Sequence, residues 1–204
     1  MDIGVSKLHI MYNNIINGIE GDFKMSKSVV VYKSNYGSTK IYAKWIAKEL
    51  DADIYEAKEV KIDKLKEYDN IILGGGLYAG GIIGSSIISK NFESIRDKKI
   101  IVFTVGLAPT TDKEIFKPII EKNFTLEMRQ SISFFHLRGG VDYKKLSIIH
   151  KAMMAMLKFT LARKKPEELT EDDKLMLKTY GDKVDFIDIN TAREIVYYVQ
   201  KNIV

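Results

Sequence analysis

The chain has 204 residues and is 46% hydrophobic, enough for one well-buried core rather than two. It holds no cysteine, which excludes disulfides, thiolate catalysis, zinc–thiolate sites and cysteine-held iron–sulfur clusters, and fits a reducing cytoplasm. The net charge of +5 is local: residues 138–165 carry eight Lys/Arg against Asp142 alone, which argues for one contact with something anionic rather than for nucleic-acid binding.

Residues 1–24 read as a weakly patterned extension ahead of Met25, and residues 25–204 as a single domain. The N-terminus has an acidic second residue and no basic stretch before an apolar run, so a secretory signal is not expected. No stretch approaches the ~18 uninterrupted apolar residues of a membrane span. Residues 28–32, SVVVY, form a short β-branched first strand. Residues 38–50 place Ile41, Trp45, Ile46 and Leu50 at helical spacing. An edge strand over 53–56 and a short helix over 61–67 follow, then a buried third strand over 70–74 and a helix over 84–95. Residues 99–104, KIIVFT, make a fourth strand, and Thr111-Asp-Lys-Glu114 has the form of a capping box for a helix over 112–122. Residues 131–137 make a fifth strand; a second capping box, Thr191-Ala-Arg-Glu194, opens a helix ending near 202. The connection between these last two elements is far longer than the usual roughly 2–6 residues and reads as an insertion over about 138–183, with helical stretches at 144–163 and 170–180. Apolar runs alternating with amphipathic stretches indicate βαβ units and a parallel sheet.

Three loops carry the candidate chemistry. The first, Ser34-Asn35-Tyr36-Gly37-Ser38-Thr39, leads directly into the first helix, whose opening turn has unpaired amides and a positive dipole end. Hydroxyls and a glycine there make an anion nest without a fixed cation, suited to a monophosphate. The Gly-x-x-x-x-Gly-Lys-Ser/Thr arrangement of a triphosphate site is absent, as is Gly-x-Gly-x-x-Gly at this turn. The second loop, residues 74–81, offers Gly75, Gly76, Leu77, Tyr78, Ala79 and Gly80, with glycines that admit a flat ring and Tyr78 to stack on it. The third offers Thr104, Val105, Gly106 and Leu107. Response-regulator receivers share this architecture but need clustered carboxylates at the end of the first strand, where this chain has Val29, Val30, Val31 and Lys33.

The run Val30-Val-Tyr-Lys-Ser34-Asn-Tyr-Gly37-Ser-Thr39-Lys-Ile-Tyr-Ala43-Lys-Trp-Ile46 resembles the flavodoxin FMN signature. The resemblance implies a flavodoxin-like α/β fold, a doubly wound five-stranded parallel sheet of order 2-1-3-4-5, with a helical insertion in or after strand 5. It implies FMN as cofactor, its phosphate wrapped by residues 34–39 and its ring flanked by the second and third loops. The sole tryptophan, Trp45, sits on the first helix, so stacking would rest on Tyr78. From Tyr32 onward the chain also resembles the flavodoxin-domain family that includes menaquinone-dependent protoporphyrinogen oxidases, in the position and the apolar-basic character of the insertion. On that likeness residues 184–187 would resume strand 5.

Within the insertion Lys144, Lys151 and Lys158 recur every seven residues amid Leu, Ile, Met and Phe. The apolar arc is wider than packing on one sheet face uses. It suits a membrane interface, a hydrophobic substrate or another subunit, or else a helix sandwiched between the sheet and the second insertion helix. His136 could orient a substrate or be a capped residue, and His150 reads as structural. The function expected is an FMN oxidoreductase, of the protoporphyrinogen-oxidase type, acting on a hydrophobic substrate or quinone. The alternatives are an electron carrier serving a redox partner protein, and a cofactor-free binding domain.

Overall fold

A computed structural model describes residues 26–78, 80–111 and 113–201; the extension over 1–24 and Ala79 lie outside them. Strands β1 (Ser28–Lys33), β2 (Asp53–Glu56), β3 (Asn70–Tyr78), β5 (Lys99–Gly106) and β6 (Ile132–Arg138) form one parallel sheet in the order β2-β1-β3-β5-β6, and β4 (Gly81–Ile82) folds back antiparallel on β3. The expected order 2-1-3-4-5 is therefore found, the fourth and fifth parallel strands being β5 and β6.

Apolarity on both faces of the strands accounts for the two-sided burial. Val30 and Tyr32 face a core with Tyr42, Ile46, Phe103, Ile195 and Val199, covered by helices α1 (Ser38–Glu49) and α8 (Arg193–Lys201). Val29 and Val31 face the other core, with Leu65, Leu73, Ile88, Val102 and Phe124. Over it lie α2 (Ile62–Leu65), α3 (Ser86–Ser89) and α4 (Lys117–Asn123). No helix among the described residues is long and apolar enough to cross a membrane.

Several boundaries differ from expectation. The glycines after residue 74 are strand rather than loop, because Gly74 pairs in register with Phe103 and lies directly under its ring. The helix expected over 84–95 is only α3 and a 3-10 turn at Phe92–Ser94, where Asn91 Nδ2 takes the carbonyl of Ile87 at 2.9 Å. The helix expected over 112–122 opens as a 3-10 turn, Lys113–Phe116, and becomes α-helical at Lys117, with Pro118 in the first turn where its missing N–H costs nothing. Helix α5 (Leu126–Ser131), capped by Thr125, was not anticipated. Asp188, not Thr191, caps the turn that leads into α8: its Oδ1 accepts the Asn190 N–H at 2.9 Å.

The insertion holds α6 (Ile148–Ala162), capped by Ser147, and α7 (Glu171–Lys178), capped by Thr170 and Asp173. Residues 184–187 do not resume strand 5. Strand β8 (Lys183–Asp185) instead pairs antiparallel with β7 (Gly140–Asp142) in a separate ribbon, because β6 already runs unbroken beside β5 to Arg138.

A methyl group at Gly74 would lie 2.2 Å from Phe103 Cζ in the fully buried core. Gly74→Ala is expected to cost about 1–3 kcal/mol in urea denaturation, and Phe103→Leu in that background to recover part of it.

Candidate functional site

Chain order reverses between β1 and β3, which opens a crevice at the carboxyl ends of the strands. Ser34 Oγ accepts the Gly37 N–H at 3.0 Å, closing the turn between β1 and α1. Gly37 takes φ of 100°, and an added Cβ would meet nothing, so the constraint there is the backbone and not space. It stands at the N-cap of α1, where no side chain caps the helix and no acidic residue sits in the first turn. The helix therefore presents amides and the positive end of its dipole without a local counter-charge.

That end opens on a cavity of about 150 Å3. The first loop contributes Ser34, Tyr36, Ser38 and Thr39; the end of β3 gives Gly76, Leu77 and Tyr78; the end of β5 gives Val105, Gly106 and Leu107. The structure thus brings ten of the sequence-predicted residues together. Of the other described ones, none lines this cavity. Asn35 is exposed beside a neighbouring groove, Gly37 acts through its backbone, Gly75 packs against Ile82 and Ile83, and Gly80 lies in the β3–β4 turn. Thr104 is buried, its Oγ1 2.7 Å from His136 Nδ1, and His136 stacks on Phe116 with ring centroids 3.7 Å apart. His136 is thereby a partnered residue off the cavity.

The insertion supplies the roof: Leu146, His150, Met153 and Met154 all line the cavity, and Ser38 Oγ accepts the Gly140 N–H at 3.1 Å. Tyr36 ties roof to loop. Its hydroxyl accepts the Ser147 N–H at 3.2 Å and shares a hydrogen bond with His150 Nδ1. The His150 ring stacks on Tyr78 at 4.7 Å between centroids. Burial, with Tyr36 nearby, pushes the Tyr78 hydroxyl up to about 12. Sequence reasoning read His150 as structural and placed none of the roof in the site. The usable signal was positional: a segment inserted after the fifth strand leaves the sheet at its carboxyl edge, beside the third loop.

The fold and crevice define a doubly wound α/β protein with a ligand site at its switch point. The chain belongs to the flavodoxin-domain family, whose model matches residues 29–168. An uncharacterized protein of Methanocaldococcus jannaschii is 33% identical over 127 residues, which cover 57% of this chain and 85% of that protein. Among solved structures, a WrbA-like flavodoxin from Agrobacterium tumefaciens aligns at 19% identity with a TM-score of 0.38, covering 83% of this chain and 98% of that one. A flavoprotein from Lactobacillus acidophilus, solved in complex with FMN, aligns at 16% identity with a TM-score of 0.35, covering 55% and 92%.

Tyr36→Phe deletes the hydroxyl that holds the start of α6, and amide exchange over residues 147–154 is expected to speed by about five- to tenfold. Tyr78 keeps its proton longer in the folded state than in the unfolded chain. Its contribution is complete below the unfolded pKa of about 10 and is lost as pH rises through the folded value. Urea denaturation of Tyr78→Phe should accordingly show a smaller loss of stability than wild type across that alkaline window.

Proposed function

We propose that the cavity holds FMN and that the chain is an FMN-dependent oxidoreductase acting on an apolar substrate or a quinone, in a reaction of the protoporphyrinogen-oxidase type. The observation that carries the reading is the uncapped start of α1, opening with three hydroxyls into a cavity across the ends of β1, β3 and β5. No Lys or Arg lines that cavity among the described residues, so the donor set is neutral hydroxyls and amides, which fits a phosphate monoester held by hydrogen bonds. Ser34, Ser38 and Thr39 would hold the phosphate. Leu77, Tyr78 and Leu107 would flank the ring, beside Gly76 and Gly106.

Bound FMN supplies a centre that accepts a hydride or single electrons at N5. The chain's own part is position and exclusion of water. The enclosed 150 Å3 is below the roughly 300–1,000 Å3 of ordinary ligand pockets. His150 covers Tyr78, so admitting a stacked ring displaces His150 from it.

Support for an apolar substrate comes from a second cavity of about 380 Å3, which shares Leu107 and Val141 with the first. Ile115, Tyr143, Leu157, Leu161, Met176 and Phe186 make its walls largely apolar. The Arg138 guanidinium stands there too, donating to the Leu107 carbonyl at 3.1 Å and lying over Phe186 at 3.9 Å. An apolar molecule with an acidic group suits such a lining. The roof over the first cavity favours enzyme over carrier, because it covers the edge through which a docked protein would exchange electrons.

Flavin titration tests the cofactor. Wild-type apoprotein should bind FMN, and Thr39→Val should weaken it by about ten- to a hundredfold through loss of one hydrogen bond to a charged group. His150→Ala, which removes the competing stack, should bind at least as tightly as wild type. An apoprotein without affinity for FMN would sink the reading. Anaerobic assay with protoporphyrinogen and a menaquinone analogue should give turnover beyond that of free FMN; FMN binding without turnover would turn the assignment to an electron carrier.

A further inference from the structure

We propose that the outer face of α6 seats the protein on an anionic lipid bilayer surface. Helix α6 is apolar on two sides. Its inner side, with His150, Met153, Met154, Leu157 and Leu161, lines the two cavities. Its outer side is exposed: Ile148 is 86% accessible, Ile149 72%, Met156 71% and Phe159 57%. At roughly 100° per residue, these four fall with Ala152 and Ala155 in one continuous arc of about 120°. From Ile148 to Phe159 the strip is about 17 Å long at 1.5 Å per residue. The side of α6 that meets the rest of the fold is the inner one, with Leu161 buried and His150, Met153 and Met154 half-buried, so this second stripe has no packing role within the fold.

The charge around the stripe selects the occupant. No Asp or Glu occurs from residue 143 to 166, whereas Lys144, Lys145, Lys151, Lys158 and Arg163 are all exposed there. Lys151 and Lys158 share one flank of the helix, and the Arg163 guanidinium lies 4.1 Å over the exposed Phe159 ring. An apolar helix face rimmed by cations lies in the headgroup plane, with its apolar side in the acyl boundary and its cations on anionic lipid. A second copy of the same face would bring like charges together. The seat puts the apolar cavity lined by Leu157 and Leu161 beside the bilayer, from which an apolar substrate would enter.

The test is flotation of the full-length protein with phosphatidylcholine vesicles, with and without phosphatidylglycerol. Wild type should float with the anionic vesicles and lose most of that binding in high salt. Lys144→Gln and Lys151→Gln should each weaken partitioning by about fivefold. Ile149→Glu combined with Phe159→Glu should abolish it while the melting temperature stays near that of wild type, since both side chains are exposed. Negligible flotation of wild type, or equal flotation of wild type and the double variant, overturns the proposal. So does a wild-type dimer in analytical ultracentrifugation that the double variant converts to monomer without any lipid binding. The readout needs no flavin, and the apoprotein should float as the loaded protein does, so failure to bind FMN is a separate outcome.

Discussion

Gly37 turns the chain from β1 into α1 at φ of 100°, a conformation that costs an ordinary L-residue roughly 1 kcal/mol or more. Because that cap position holds a glycine, it has no side chain to accept from the first-turn amides of α1. Helices α5, α6 and α7 start on Thr125, Ser147 and Thr170, whose hydroxyls accept amide hydrogens and close those ends. The short helices α2, α3 and α4 also lack a side-chain cap, but the uncapped end of α1 lies where the sheet reverses its winding, and the hydroxyls of Ser34, Ser38 and Thr39 surround it. The site is therefore a consequence of withheld capping as much as of any residue placed in it.

The insertion completes the site from above. It leaves β6 beside the third loop, so its first helix has to pass over the crevice, and Tyr36 fixes how low it sits. The two cavities share Leu107 and Val141, so these aliphatic side chains stand between them.

Much of the fold could be read from the chain. The β-branched run at 28–32 and the residues at 53–56 are bounded by turn-forming neighbours, and both became strands where expected. Residues 74–78 were misread because glycine has little strand propensity of its own; pairing with β5 and the ring of Phe103 decide the matter, and both are tertiary. Asn91 and Asp188 likewise act through hydrogen bonds that a spacing pattern does not reveal. In the site, the first loop was legible because its signature is local in sequence. His150 was not: on the chain it is a lone histidine in an apolar helix, and only the distant Tyr36 and Tyr78 give it a role.

The ribbon of β7 and β8 brings the two ends of the insertion together, Gly140 opposite Asp185 and Asp142 opposite Lys183. A long excursion closed at its neck costs the parent sheet little, because closure entropy grows only with the logarithm of the loop and is met by the ribbon's own hydrogen bonds. The segment is thus a cassette clipped to a finished barrelless scaffold: its interior can diverge in length and chemistry without disturbing a single pairing of the five parallel strands.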